Sequence, residues 1–342
     1  MTVYVTHGAK KNVGDYLIHD RGLRLLAHVN PDLPVRSVAR WSEDPLPDDA
    51  HLLLMCGGPG VATRMIDRIF PVAAGAIERG IPLAGLALGW SGKPAKNPDA
   101  FQMTSESVDA LKAVVAAGRP LTVRDDLSLG ILQRLGVDAV RSGCTAWYSV
   151  QDLGAPARVV ADPKRVVFTT PANTDNTREA IAVMRRLKRR FPKAQLIASF
   201  HRGILPDSRT APHRSSALIA QAIAAKALGY KVLDVSYDLA KIDFYRETDL
   251  HVGYRVHAHL AYMSQRIPSV LISEDGRGAG QAVTLNGADS VLWAGSEALV
   301  DRVDELIGAE LAAGWPSLTR AIDEIERSYP VMRDAILALP KK

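Results

Sequence analysis

DLHVGYRVHAHLAYMSQRIPSVLISEDGR, residues 249–277, is the stretch on which the reading of this chain turns. It places Arg255, His257 and His259 in a turn led by Gly253, at the start of an apolar helix. Val256, Leu260, Met263 and Ile267 recur at helical spacing and the apolar run SVLIS follows, so the segment reads as loop, helix, turn and strand. A helix start carries unpaired backbone N–H groups and the positive end of the helix dipole. A guanidinium and a titratable imidazole at that point suit a phosphate or carboxylate whose chemistry also needs a proton. Arg277, just past the strand, adds another cation.

The same alternation runs outward in both directions. Upstream, TVYVTH, HLLLMCG, PLAGLALG, PLTVRD and DAVRS read as buried strands, separated by helical patterns over 15–29, 62–79, 105–117 and 127–135. Further along, RVVFTT, AQLIASF, KVLDVS, SVLIS and SVLWAG alternate with helices over 176–191, 213–228, 256–266 and 297–312. This alternation predicts an α/β protein whose parallel sheets carry helices on both faces. The pattern breaks at 151–164, where Gly and Pro appear, so a Rossmann-like domain is expected over 1–150 and a second over 151–314. A helical tail, 315–342, is expected to pack across both. Two such domains meeting at a cleft make a GT-B-like arrangement, with ligands beyond the carboxyl ends of the strands.

With 342 residues and a hydrophobic fraction of 47%, the chain has material for sizeable cores. A net charge of +5 favours acidic partners, such as a phosphorylated small molecule or an anionic membrane surface. The densest basic run, MRRLKRRFPK at 184–193, lies on a predicted helix. It reads either as a solvated face or as a peripheral contact with anionic lipid. Aromatic interleaving and any nucleic-acid-binding module are absent, so no nucleic-acid partner is expected. Cys56 and Cys144 have neither disulfide nor metal-ligand spacing and read as buried free thiols. The chain opens directly on TVYVTHG, without a basic-then-apolar leader, and has no apolar run of about 18 residues. A cytoplasmic protein is expected.

Four loops at predicted strand ends carry residues suited to chemistry. In THGAKKNVGDYLIHDRG, residues 6–22, Asn12, Gly14 and Asp15 stand at a turn, with Asp15 as a helix N-cap or a site carboxylate. Gly57 and Gly58 in MCGGPG let the backbone approach a ligand closely, yet neither a Walker lysine nor G-x-G-x-x-G accompanies them. In TVRDDLSLGILQRLGV, residues 122–137, Arg124 ends a strand, pointing into the cleft to grip an anion or pairing with Asp125. His201, Arg202, Arg209, His213 and Arg214 cluster after another strand, gripping an anionic substrate or simply solvated. Asp234 or Asp238, after the next strand, is placed to orient a histidine. His251 and His259 bracket Arg255 at four-residue steps, but with no convincing third ligand no metal is expected.

Together these motifs resemble the polysaccharide pyruvyl transferase family. The resemblance rests on Asp249, Gly253, Arg255, His257 and Ala258, with Val256 in place of the usual leucine, and on Ile267-Pro268 before the strand. It is reinforced by the Asn12–Asp15 motif and by the Arg124–Ser128 pattern. Gln265 and Arg266 stand where a turn glycine is usual, and CTAWYSV at 144–150 lacks the aspartate many relatives have there. The resemblance implies a GT-B-like fold and transfer of a pyruvyl group from phosphoenolpyruvate to a sugar, forming a cyclic ketal without a cofactor. On this reading His257 is the general acid, Arg255 and Arg124 clamp phosphate and carboxylate, and Asp15 accepts a hydroxyl proton. Asn12, Gly14, Gly57, Gly58, His201, Arg202, His259 and Arg277 complete the expected substrate contacts. The alternative is a GT-B glycosyltransferase whose Glu274 or Asp275 grips the ribose of a nucleotide sugar.

Overall fold

The structure, a computed structural model, describes residues 2–92 and 98–340. Its first half contains strands β1 (Thr2–His7), β2 (Val35–Ala39), β3 (Ala50–Cys56), β4 (Leu83–Leu88), β5 (Leu121–Val123) and β6 (Val140–Arg141). Helices α1 (Val13–Val29), α2 (Pro71–Glu78), α3 (Ser105–Ala116) and α4 (Asp126–Arg134) connect them. The second half contains β7 (Arg165–Thr169), β8 (Gln195–Phe200), β9 (Lys231–Asp234), β10 (Leu250–Gly253), β11 (Ser269–Ser273) and β12 (Leu292–Trp293). Its helices are α5 (Thr177–Arg190), α6 (Pro212–Ala227), α7 (Val256–Ser264), α8 (Gly276–Asn286), α9 (Leu299–Ala313) and α10 (Pro316–Leu337).

Each half is a six-stranded parallel sheet, ordered β2-β1-β3-β4-β5-β6 and β12-β11-β10-β7-β8-β9. The near-continuous apolar strands follow from this, because a sheet covered on both faces leaves no polar side. Strand order reverses at β1/β3 in the first sheet and at β7/β10 in the second. Diverging connections leave a crevice at such points. The loops after β1, β3, β7 and β10 meet there, and those after β2, β8 and β11 complete the candidate site. One core runs from β1 and α1 through the turn Thr145–Trp147 into the second sheet and α9–α10. The other is confined to the opposite face of the first sheet. Helix α10 packs on α1, β5 and β6 of the first half and on α7, α8 and α9 of the second.

Several local expectations change. The segment at 249–277 opens with a strand rather than a loop: β10 pairs with β7 and β11 in parallel. The helix expected over 62–79 divides into a π-helical turn, Met65–Ile69, and α2, because Pro71 fits only the first turn of a new helix. Asp15 is not an N-cap; its N–H donates to the Asn12 carbonyl at 3.0 Å, inside the first turn. Arg266 adopts the left-handed φ of 65° that glycine would take without strain. Its buried side chain offsets that cost by donating from Nε to the Asp152 carbonyl and pairing with Glu326 of α10. CTAWYSV is a plug between the halves: Trp147 and Tyr148 are fully buried, and the Trp147 indole N–H donates to Gln281.

Of the basic run on α5, Arg186 and Arg190 are ion-paired with Asp301 and Asp304 of α9. Cys56 and Cys144 are buried free thiols, and burial pushes Cys56 up to about 12. Among the described residues, no helix is long and apolar enough to cross a membrane.

Candidate active site

The site begins at the end of β10, where the chain turns into α7 with Arg255 at the N-cap. The Arg255 N–H donates to Thr169 Oγ1 at 3.2 Å, which fixes the turn to the end of β7. Its guanidinium is 8% exposed and donates from Nη2 to the Pro171 carbonyl at 3.0 Å. Its Nε has no hydrogen-bond partner. Burial, against the attraction of Glu274, holds this arginine down at about 10.

His257, one turn on, faces the same hollow, which Asn12, His201, Glu274 and Arg277 also line. Its ring lies directly against Gly14: a Cβ at that glycine would stand 2.4 Å from His257 Nδ1. The first half thus contributes the N-terminus of α1 to a site built on the second. The Val13 N–H donates to the His201 carbonyl across the same boundary. Burial, then the charges of Arg277 and Arg124, hold His257 down at about 3. Asp15 shifts the other way: burial raises its carboxyl against a hydrogen bond from Asn12 and the charges of Arg40, Arg277 and Arg202. At neutral pH the general acid expected at His257 is therefore a neutral imidazole.

A neighbouring hollow in the first half is lined by Asp15, Arg40, Gly57 and Gly58. The two glycines have φ of 61° and 73°, which an L side chain would strain. Arg40, half-buried just after β2, has a guanidinium with no hydrogen-bond partner among the described residues and was not expected at the site. The strand it terminates is an edge with mixed exposure, so no apolar run announces it.

The other expected residues divide between the cleft and the surrounding packing. Arg277 lines the cleft, its guanidinium held by Asp275. Arg202 is exposed at the rim, and its charge reaches Arg255 and Asp15. His201 lines the cleft, with Nε2 2.8 Å from Tyr245 Oη rather than from an aspartate. Asp234 binds Ile204 and Ser236 instead, and Asp238 caps the 3-10 helix Leu239–Glu247. Arg124 lies behind the cleft wall, donating from Nε to Asp125 at 3.0 Å and from Nη2 to the Trp90 carbonyl. The clamp expected of it is not assembled: in a dry setting the adjacent carboxylate takes the guanidinium. Arg209, His213 and Arg214 are exposed.

His259 does not reach the cleft. Two helical residues are separated by about 200°, so it points away from His257. Its Nδ1 lies 2.7 Å from Ser269 Oγ, which also bonds His251, and His251 in turn bonds Thr169. Among the described residues no three His, Cys, Asp or Glu side chains gather as metal ligands would. Glu274 accepts from the N–H groups of Ala172 and Asn173, and Asp275 holds Arg277, so both carboxylates expected to meet a ribose are already engaged.

His201, His251, His257 and His259 are all buried and all lowered from the ordinary histidine value of 6.5, burial being the main cause in each. Below pH 6.5 the unfolded chain binds more protons than the folded one, so this stability is complete above 6.5 and is lost as pH falls. Each histidine contributes up to about 1.4 kcal/mol per pH unit in that window. Urea midpoints are therefore expected to fall steeply between pH 6.5 and about 4. Flat midpoints from pH 7 to 5 would contradict this.

Comparison with known proteins gives a family and a fold. The family model for polysaccharide pyruvyl transferase matches residues 12–276. No curated protein matches the chain by sequence. Among solved structures, the S. aureus MnaA–UDP co-structure shares 12% identity over 98% of this chain and 94% of that one, with a TM-score of 0.58. UDP-GlcNAc 2-epimerase from Neisseria meningitidis, bound to UDP-GlcNAc, gives 10% identity, 98% and 100% coverage and a TM-score of 0.55. The Methanocaldococcus jannaschii enzyme of the same name gives 10%, 98%, 99% and 0.54. At such identities the likeness is one of fold, the GT-B-like pair of parallel-sheet domains.

Proposed function

Because this chain belongs to the polysaccharide pyruvyl transferase family, and is thus a transferase, we propose that its cleft moves the pyruvyl group of phosphoenolpyruvate onto two hydroxyls of a sugar. The products are a cyclic ketal and phosphate. The observation that carries this reading is the unpartnered Nε of Arg255, a buried guanidinium nitrogen in the wall that also holds His257. A buried cation without a carboxylate is costly, and an anionic substrate supplies what is missing. Phosphoenolpyruvate brings a carboxylate and a phosphate, for which Arg255 and Arg202 are the charges without a carboxylate partner among the described residues, with Arg277, held by Asp275, beside them and the start of α7 adding its dipole.

The chemistry then runs as follows. Carbon 3 of the enol takes a proton from His257 and carbon 2 becomes electrophilic. A sugar hydroxyl bonds to carbon 2 and gives up its proton, for which Asp15 is the nearby carboxylate. The bond from carbon 2 to the phosphate oxygen breaks, phosphate leaves with the electron pair, and the second hydroxyl closes the ring. One hydroxyl proton balances the proton placed on carbon 3; the other leaves with phosphate. Burial and the neighbouring arginines keep His257 neutral on their own, so the negative charge of the donor must raise it into the acid's range. A cytoplasmic location fits a metabolite donor of this kind.

Calorimetry tests this without an acceptor. Saturable heat is expected with phosphoenolpyruvate and not with UDP-, GDP- or CMP-sugars; saturation by one nucleotide sugar instead would move the protein to glycosyl transfer. Because the ligand raises His257 above about 3, binding takes up protons between the free and bound values, and affinity weakens as pH rises through the bound one. Titrations in buffers of different ionisation enthalpy should show uptake that His257→Gln removes. Equal uptake by both proteins would rule out His257 as the proton carrier.

A further inference from the structure

A buried guanidinium with no hydrogen-bond partner among the described residues lies outside the cleft. Arg21, on α1, is 8% exposed, and its guanidinium has no hydrogen-bond partner among the described residues. Of the acids around it, Asp20 pairs with Arg24 at 2.8 Å and Asp152 with Arg246 at 2.7 Å, while Asp243 lines the space that Arg21 faces. Arg21 instead faces a crevice of about 460 Å³ between α1 and the 3-10 helix Leu239–Glu247. Arg24 and Arg246 flank the same space. Gln265, at the end of α7, lines it too; it is 6% exposed and its Oε1 has no partner. Leu17, Leu239 and Ile242 give the crevice an apolar wall.

These are complementary unmet needs in one cavity. An unpaired buried guanidinium calls for an oxyanion, and a buried amide oxygen calls for a hydroxyl or N–H donor. The apolar wall suits the face of a small ring, and the volume exceeds what a free phosphate fills. We propose that this crevice binds a phosphorylated, hydroxyl-bearing small molecule of the sugar-phosphate class, its phosphoryl group on Arg21 and a hydroxyl on Gln265. Arg21 lies seven residues beyond Gly14, or about 10 Å along α1, so the site is separate from the cleft. Its walls come from opposite halves of the protein. One wall is the helix whose first turn packs on His257, and the other contains Tyr245, which holds His201. A bound sugar phosphate therefore ties α1 to the second half from behind the cleft. The proposal does not depend on which donor the cleft itself uses.

The test titrates glucose 6-phosphate, inorganic phosphate and glucose into the full-length protein. Parallel titrations use Arg21→Gln, Gln265→Leu and, to silence the cleft, Arg255→Met. Glucose 6-phosphate is expected to bind wild type and Arg255→Met alike, and to bind Arg21→Gln about tenfold more weakly or worse. Gln265→Leu should weaken glucose 6-phosphate while leaving inorganic phosphate unchanged. Binding lost in Arg255→Met but retained in Arg21→Gln would overturn the proposal, as would no saturable binding to wild type. Equal affinity for inorganic phosphate and glucose 6-phosphate would overturn the sugar-phosphate assignment in favour of a free-phosphate site. Should Arg21→Gln fold poorly, Ala27→Trp fills the crevice from an exposed helix position. It must abolish the same binding, and undiminished binding there would equally refute the site.

Discussion

Arg255→Met is expected to abolish saturable phosphoenolpyruvate binding while leaving the fold at least as stable as before. The two halves of this expectation have one cause. Arg255 is buried, and among the described residues its Nε is unpartnered and its one side-chain hydrogen bond runs from Nη2 to the Pro171 carbonyl. Removing it forfeits that bond, a loss of about 1–3 kcal/mol. It also relieves the desolvation of an uncompensated cation, which amounts to several kcal/mol. Methionine retains most of the apolar stem, so little cavity forms. For the ligand nothing offsets the loss. Two charge-assisted hydrogen bonds at about 1.5 kcal/mol each already weaken binding at least a hundredfold. Calorimetry and thermal unfolding on the same preparation check both halves. Binding within a few fold of wild type, together with a melting temperature lowered by more than about 3 °C, would make Arg255 a structural residue.

Gly14→Ala is expected to cut turnover by about a hundredfold through His257 alone. The added methyl would stand 2.4 Å from His257 Nδ1 and 2.8 Å from its Cβ, closer than packed atoms come. Ring or helix must move, and displacement of this size at a reacting group accounts for a loss of that order. In the isolated helix the same change is not unfavourable, since alanine is a better helix former than glycine, though Gly14 stands in the first turn rather than the interior. Lost activity with α1 intact therefore separates a site effect from a folding effect. The double mutant with His257→Ala sharpens the test, because only the Cβ contact then remains and the two changes should be far from additive. Additive losses, or Gly14→Ala at wild-type turnover, would mean that this contact does not set the position of the imidazole.

Much of the fold was legible from local pattern. The apolar runs TVYVTH and SVLIS coincide with β1 and β11. The unexpected elements share a reason: each hides its pattern. β2 is an edge strand with exposed side chains. β10 is four residues long and contains His251, whose two ring nitrogens are met by Thr169 and Ser269, so a polar letter stands in a fully buried strand. α8 begins GRGAG and reads as a loop, yet Gly276 allows contact with Trp90 and Gly280 with Asp125. The angular step of a helix was available in the sequence to separate His259 from His257. Arg40 was lost with its strand.

The sequence by itself determined that strands and helices alternate, that the sheets are parallel, that Gly14 stands at a strand-to-helix turn, and that Arg255 and His257 stand at a helix start. Those are consequences of spacing along the chain, and spacing encodes which face a side chain takes. Which cations remain unpaired was decided only by the tertiary structure. Arg124 and Arg255 look equivalent as letters, yet one is bound to Asp125 and the other keeps a buried, unpartnered nitrogen in the cleft wall. Arg21 reads as an ordinary surface arginine until α1 packs beside the 3-10 helix Leu239–Glu247, more than two hundred residues away. The charge that makes a site is what remains after every carboxylate in reach has been taken, and that remainder is set by burial and distance in three dimensions.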